Sequence, residues 1–224
     1  MELEQLKKEQ IILQQKIDLQ DINTNLIKTI AGVDVAYFKK NNNEYGVCCI
    51  DVFDINTFEI VEKQSYFSKV NFQYIPGYLS YRELPVIMGA YEKLKVKPDI
   101  FMLDGNGYLH QNHMGIATMF SLFTNEVSIG VAKTFYNFAK TNFNVEKNAP
   151  SIAPIVINNQ IYGYAMRSRN NCKPIFISPG NNISFNNCIE VVKRCLNEES
   201  RIPIPTRIAD LDTHSERKKL LLIK

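Results

Sequence analysis

The sequence predicts one α/β domain over residues 1–224, with a mixed sheet of three antiparallel strands followed by parallel strands, and helices on its flanks. Three observations predict it. The strand-like runs IAGVDVAYF, YGVCCIDVF and EIVEKQSYF are separated only by KKNNNE and DINTF, whose Asn and Asp residues suit tight turns, as in an antiparallel meander. Further on, the apolar run in PDIFMLDGNG enters a glycine turn and is followed by a helical GIATMFSLF and a second strand, VSIGVAK. That alternation belongs to parallel strands joined by a crossover helix. Finally, 224 residues with 45% hydrophobic and 22% charged side chains are enough for one sizeable core without staples.

The remaining elements follow in order. Leu6, Leu13 and Ile17 lie near helical spacing in a polar stretch, which predicts an amphipathic first helix. After the three strands come a loop, NFQYIPGYLS, and a helix running through YEKLK. Beyond VSIGVAK lie the strand candidates SIAPIVI, QIYGYAMR and PIFISPG, then the helix FNNCIEVVKRCLNE. A last short helix is expected to start at Thr206 in PIPTRIADLD, with Thr206 as its cap. No linker, repeat or low-complexity tract divides the chain.

Composition removes several function classes. The five cysteines form no CxxC pair and precede no His at zinc-ligand spacing, so they read as reduced thiols of an intracellular protein. MELEQLKKEQ has no apolar signal-peptide core, and no apolar run approaches the roughly 20 residues that span a bilayer. A soluble cytoplasmic protein (nuclear also in a eukaryote), monomeric and without a membrane partner, is the expectation. The net charge of +3 permits a nucleic-acid face without arguing for one.

Several acidic residues stand where chemistry is plausible, each beside a plainer reading. On a strand, Gly32, Asp34 and Ala36 share one face and Ala31, Val33, Val35 and Tyr37 the other. A carboxylate between two small neighbours has room above it for a metal ion and a phosphate, or it simply faces solvent. Asp104 ends the apolar run IFMLD immediately before Gly105-Asn106-Gly107, at the carboxyl end where parallel sheets bind ligands, or it caps the turn. Glu83 fits a capping box with Ser80. Asp210 shares a helix face with His214, four residues on, while Asp212 points elsewhere. Lys133 closes a strand, to reach a phosphate or to snorkel. His110 and His113 lack the HxxxH helix context of zinc hydrolysis.

Taken together, Asp34 in its strand, GYLSYRE, LDGNG with His110, GVAK and PTRIAD resemble the endonuclease V family, from about Ile30 to Asp210 and in the family's order. The resemblance implies a ribonuclease H-like fold and a metal-dependent endonuclease. Its substrate would be DNA, or RNA, carrying inosine, cut at the second phosphodiester 3′ to the lesion to leave 3′-hydroxyl and 5′-phosphate ends. It implies that Asp34, Glu83, Asp104 and Asp210 are the metal ligands, and that His110 and Lys133 lie near the scissile phosphate. Tyr74, Ile75 and Pro76 match the family's duplex wedge. Gly77, Leu79, Gly105, Gly115, Ile116 and Gly130 match its hypoxanthine pocket. Three departures stand out: Gln73 where the family usually has Pro, Gln111-Asn112 after His110 in place of Pro-Arg, and Thr134-Phe135-Tyr136 after Lys133.

Electrostatics gives the acidic set a reason. Two full charges about 5 Å apart repel by roughly 3 kcal/mol at an effective dielectric near 20. A gathered group of carboxylates therefore needs a cation, and hard oxygen ligands favour Mg²⁺, with Mn²⁺ as a substitute, over zinc. Another ribonuclease H-like nuclease acting on hybrids or junctions, and a non-catalytic binding module on the same fold, are the competing readings.

Overall fold

In a computed structural model, which describes residues 3–222, the chain opens with helix α1 (Leu3–Gln14), whose buried side includes Leu6 and Gln10. Strands β1 (Thr29–Lys40), β2 (Asn43–Asp54) and β3 (Ile60–Lys69) form the expected antiparallel meander. Asn41 and Asn42, both left-handed (φ 49° and 60°), make the two-residue turn between β1 and β2. Asn tolerates that conformation better than other side chains, and the turn's twist matches the strands it joins. Helix α2 (Leu79–Tyr91) follows. Strand β4 (Ile100–Leu103) then pairs parallel with β1, and after α3 (Ile116–Thr124) strand β5 (Ser128–Ala132) pairs parallel with β4.

The last strands depart from expectation. Strands β6 (Ser151–Ile157), β7 (Gln160–Arg167) and β8 (Ile175–Asn181) extend the sheet antiparallel, in the order β3-β2-β1-β4-β5-β8-β7-β6. For β6 and β7 the reason is local. Asn158 and Asn159, at φ 50° and 63°, repeat the turn chemistry of Asn41-Asn42, and a two-residue connection can only fold a chain back on itself. The parallel part is thus confined to β1, β4 and β5, and an antiparallel extension follows it.

Helices cover both faces. Val33, Ile50, Phe101 and Leu103 pack with Leu84, Ile87, Ala117 and Phe120 of α2 and α3. Ile30, Met102, Ile129 and Ile177 pack on the opposite face with Val191 and Val192 of α4 (Phe185–Arg194) and with Ile208. The last helix, α5 (Ile204–Leu222), is longer than expected and starts two residues earlier. Pro205 sits in its first turn, where a missing N–H is harmless, and no Gly or Pro follows to end it. Thr206 is not its cap: the hydroxyl donates to the carbonyl of Pro203 at 3.2 Å. No described helix is long and apolar enough to cross a membrane.

Helix α5 also covers Asp51 of β2, which is 1% exposed and whose Oδ2 has no hydrogen-bond partner among the described residues. Burial, and then the nearby Asp212, push this carboxyl up to about 7 from its ordinary 3.8, against the pull of Lys63, which ion-pairs with Asp212. The folded state therefore holds the proton across a range where the unfolded chain has released it. Stability contributed here falls as pH rises from about 4 to about 7 and levels off above that. Asp51→Asn is expected to flatten the slope, as checked by thermal melts across that range; parallel pH profiles for the two proteins would contradict it.

Candidate active site

The sheet and α5 bring Asp34, Asp104 and Asp210 together. One ligand oxygen of each lies within 4.8 Å of those of the others. Asp34 projects from β1 on the face shared with Gly32 and Ala36, as the strand period requires, and is 9% exposed. The open space expected beside it is occupied by α5. A Cβ on Gly32 would stand 2.0 Å from the carbonyl oxygen of Pro205, and Ala36 packs in one cluster with Leu220. The small residues thus admit the helix that delivers Asp210. Asp104 follows β4 directly, its N–H bonded to the carbonyl of Val33 at 2.9 Å.

The ammonium of Lys133, at the end of β5, bridges this cluster, pairing with Asp104 and lying 2.6 Å from Asp210 Oδ1. Burial alone would lower its pKa, but Asp104 and the bonds to both carboxylates raise it, so the charge is retained. Burial first, and Asp34 next, push Asp104 up to about 7 despite Lys133. Such a set of hard oxygens, destabilised by mutual repulsion, fits a divalent Mg²⁺ or Mn²⁺ ion.

Glu83 lies outside that three-residue group but close enough to feel it. Burial pushes its carboxyl up to about 8, with Asp34 and Asp104 adding to the effect and the Tyr37 hydroxyl opposing it. Tyr37 donates to Glu83 Oε1 at 3.1 Å, and its ring lies beneath the guanidinium of Arg82, 4.4 Å from the centroid. Arg82 in turn pairs with Glu44 at 2.7 Å. The capping-box reading fails: α2 begins at Leu79, and Ser80 donates instead to the carbonyl of Met114 at 3.4 Å.

A cavity of about 320 Å³ adjoins the cluster. Gly105, Gly115, Ile116, Gly77 and Leu79 line it, together with Tyr74 and Pro76. Asp104 and the lining residues Gly105 and Asn106 are consecutive, so one turn serves both the carboxylate cluster and the cavity. Gly130 is not among the lining residues. It buttresses the turn from behind, since a Cβ there would stand 2.4 Å from the N–H nitrogen of Gly107 and 2.6 Å from the carbonyl oxygen of Gly105. Ile75 is half-buried beside the exposed Tyr74, and its carbonyl accepts from Tyr78 N–H at 2.9 Å.

His110 lies in the cavity wall and not in the carboxylate group. Its Nδ1 accepts from the N–H groups of Asn112 and Met114, each at 3.3 Å, and burial pushes its pKa down to about 4, partly opposed by a bond to the Gly77 backbone. The ring is therefore neutral near pH 7 and shapes the wall. His113 is likewise buried, stacked on Tyr108. His214 keeps its helical relation to Asp210, its Nδ1 2.7 Å from the Asp210 carbonyl oxygen, while Asp212 turns to Lys63.

Two further residues position the acids. Thr213, fully buried one turn after Asp210, donates to Asp34 Oδ2 at 2.7 Å. Its spacing from Asp210 marks it as sharing that helix face. Nothing in the spacing marks Tyr37 as the partner of Glu83, 46 residues away. Thr134, Phe135 and Tyr136, the departure after Lys133, also line the cavity.

A family model described as Endonuclease V matches residues 11–211. An Endonuclease V of Bacillus thuringiensis is 49% identical over 196 residues, covering 87% of this chain and 83% of that protein. The Endonuclease V of Bacillus subtilis is 42% identical over 217 residues, 93% of this chain and 91% of its own. A crystal structure of the Bacillus subtilis protein superposes with a TM-score of 0.95 at 41% identity, covering 99% of this chain and 94% of that one. Ciona intestinalis Endonuclease V, crystallised with a 24mer DNA containing an inosine followed by a ribo-adenosine, matches with a TM-score of 0.83 and 26% identity, over 97% of this chain and 98% of that one. Fold and sequence agree along nearly the whole length, and the chain belongs to the Endonuclease V family.

Proposed function

We propose that this nuclease recognises inosine in a nucleic acid strand, as a DNA repair enzyme, and hydrolyses the second phosphodiester 3′ to it with Mg²⁺ or Mn²⁺, leaving 3′-hydroxyl and 5′-phosphate ends. The observation that carries it is the continuity of Asp104 with Gly105 and Asn106, which couples a carboxylate cluster to a base-sized cavity within one turn. A divalent cation held by Asp34, Asp104 and Asp210, with Glu83 beside them, would supply Lewis-acid stabilisation to the scissile phosphate and activate water. Thr213 keeps the Asp34 carboxylate aimed at the site, and Tyr37 does the same for Glu83. Lys133, bonded to two of the acids, remains cationic and is poised to neutralise charge developing on the phosphate.

The cavity supports the choice of base. Helix α2 opens into it at Leu79 and Ser80, and Tyr78 at the N-cap makes no side-chain cap bond. The first N–H groups of a helix lack intrahelical acceptors, so this end offers donors. Hypoxanthine presents a carbonyl oxygen where adenine presents an amino group, and donors select the former. The Ciona relative's complex with inosine-containing DNA supports the same assignment. Extrusion of the base costs a few kcal/mol, less for a mispaired one.

Tyr74, 60% exposed at the cavity mouth, is suited to stack in the vacated space. Tyr74→Ala is expected to weaken binding to inosine-containing strands about tenfold, measured by fluorescence anisotropy in Ca²⁺; unchanged affinity would remove it from the wedge. The proposed function itself is tested by a cleavage panel in Mg²⁺ at fixed salt: inosine DNA, inosine RNA, RNA–DNA hybrid and four-way junction. Cutting of inosine DNA one nucleotide beyond the lesion is expected. Preferential cutting of inosine RNA would make the enzyme an inosine-specific endoribonuclease, and preference for hybrid or junction would refute the lesion reading.

A further inference from the structure

Gln10 is fully buried on α1, four residues from the fully buried Leu6. Burying a carboxamide is unfavourable unless both its ends are bonded. Both are. Its Nε2 donates to the carbonyl of Gly77 at 3.1 Å, and its Oε1 accepts from Asn112 Nδ2 at 2.8 Å. Gly77 lies in the cavity wall two residues before α2 begins, and Asn112 is bonded through its N–H to His110 in the same wall. One side chain from a third element thus ties together the two loops that face the base.

The restraint matters because of what it holds. Gly77 has φ 83°, a conformation glycine adopts freely and leaves as freely. The Gln111 side chain closes on it as well: a Cβ on Gly77 would stand 2.6 Å from Gln111 Nε2. Tyr81 of α2 donates to the carbonyl of Leu6 at 3.3 Å, so α1 grips α2 at a second point. Gln10 stands just ahead of the segment matched by the family model, residues 11–211.

We propose that Gln10 is a specificity-determining positioning residue, which through Gly77 and Asn112 holds the α2 N-terminus at the place where its N–H groups meet the inosine base. This rests on the base-pocket reading above. A preorganised donor set binds the matching base without first ordering a loop, and releasing the loop erodes the advantage of inosine over adenine.

The test is the ratio of affinities for matched inosine and adenine strands, measured by anisotropy in Ca²⁺, with thermal melts in parallel. Gln10→Ala should lower the ratio on the order of tenfold. Gln10→Glu should lower it similarly, because a carboxylate cannot donate to the Gly77 carbonyl. Asn112→Ala should lower it less, and the double variant Gln10→Ala/Asn112→Ala should be no worse than Gln10→Ala alone, since both act along one path. If Gln10→Ala does not fold, Gln10→Glu and Asn112→Ala decide. A wild-type ratio retained in those two overturns the inference alone, as does a loss of affinity equal for both bases. Absence of inosine preference in the wild type overturns the proposed function and this inference with it.

Discussion

Asp34→Ala and Asp104→Ala are each expected to slow strand cleavage by about a thousandfold or more while sparing, or even tightening, binding to inosine-containing strands. The direction of both effects follows from the cluster. Each variant removes one of three carboxylates whose oxygens lie within 4.8 Å of one another, and with it a ligand for the cation. Each also removes a negative charge facing a phosphate, so affinity for the strand need not fall. A readout independent of turnover is the Mg²⁺-induced rise in melting temperature, which should be present in the wild type and much reduced in both variants. Wild-type cleavage by the two variants would refute the site.

The second large effect is structural. Gly32→Ala sets a methyl group 2.0 Å from the Pro205 carbonyl oxygen, against backbone that cannot rotate away. Helix α5 must shift off β1, at roughly 2–3 kcal/mol, and a domain of this size should melt about 5–10 °C lower. The same shift moves Asp210 away from Asp34 and loosens the Thr213 bond at 2.7 Å. Cleavage should therefore fall by at least about tenfold even at temperatures where the variant is folded. Full activity with an unchanged melting temperature would show that β1 and α5 tolerate separation.

The contrast between Gly32 and its neighbour Asp34 shows how far the sequence can be read. Period-2 alternation in IAGVDVAYF correctly assigned the two faces of β1, because side-chain direction in a strand is a local property. The reason for the small residues is not local. Gly32 and Ala36 leave space, and only the arrival of α5, 173 and more residues later in the chain, determines that a helix fills it. Glu83 makes the same point in reverse: its spacing from Ser80 spelled a helix cap, yet the helix starts one residue earlier and the carboxyl accepts a hydrogen bond from Tyr37 of β1 instead. The hairpin between β6 and β7 was legible in Asn158-Asn159 by the rule that located the turn at Asn41-Asn42.

By itself, then, the sequence determined the strands of the meander, the parallel crossover from β4 to β5, the acidic residues and the family they resemble. Each of these is written in alternation, turn residues or motif order within short segments. Only the tertiary structure decided that α5 lies against Gly32, that Thr213 aims Asp34 across 179 positions, that Gly130 supports the cavity turn without lining it, and that Gln10 reaches 67 positions along the chain to Gly77. Such contacts join segments whose separation leaves no periodicity, and they form because a buried polar group must find its partner wherever the packed core brings one.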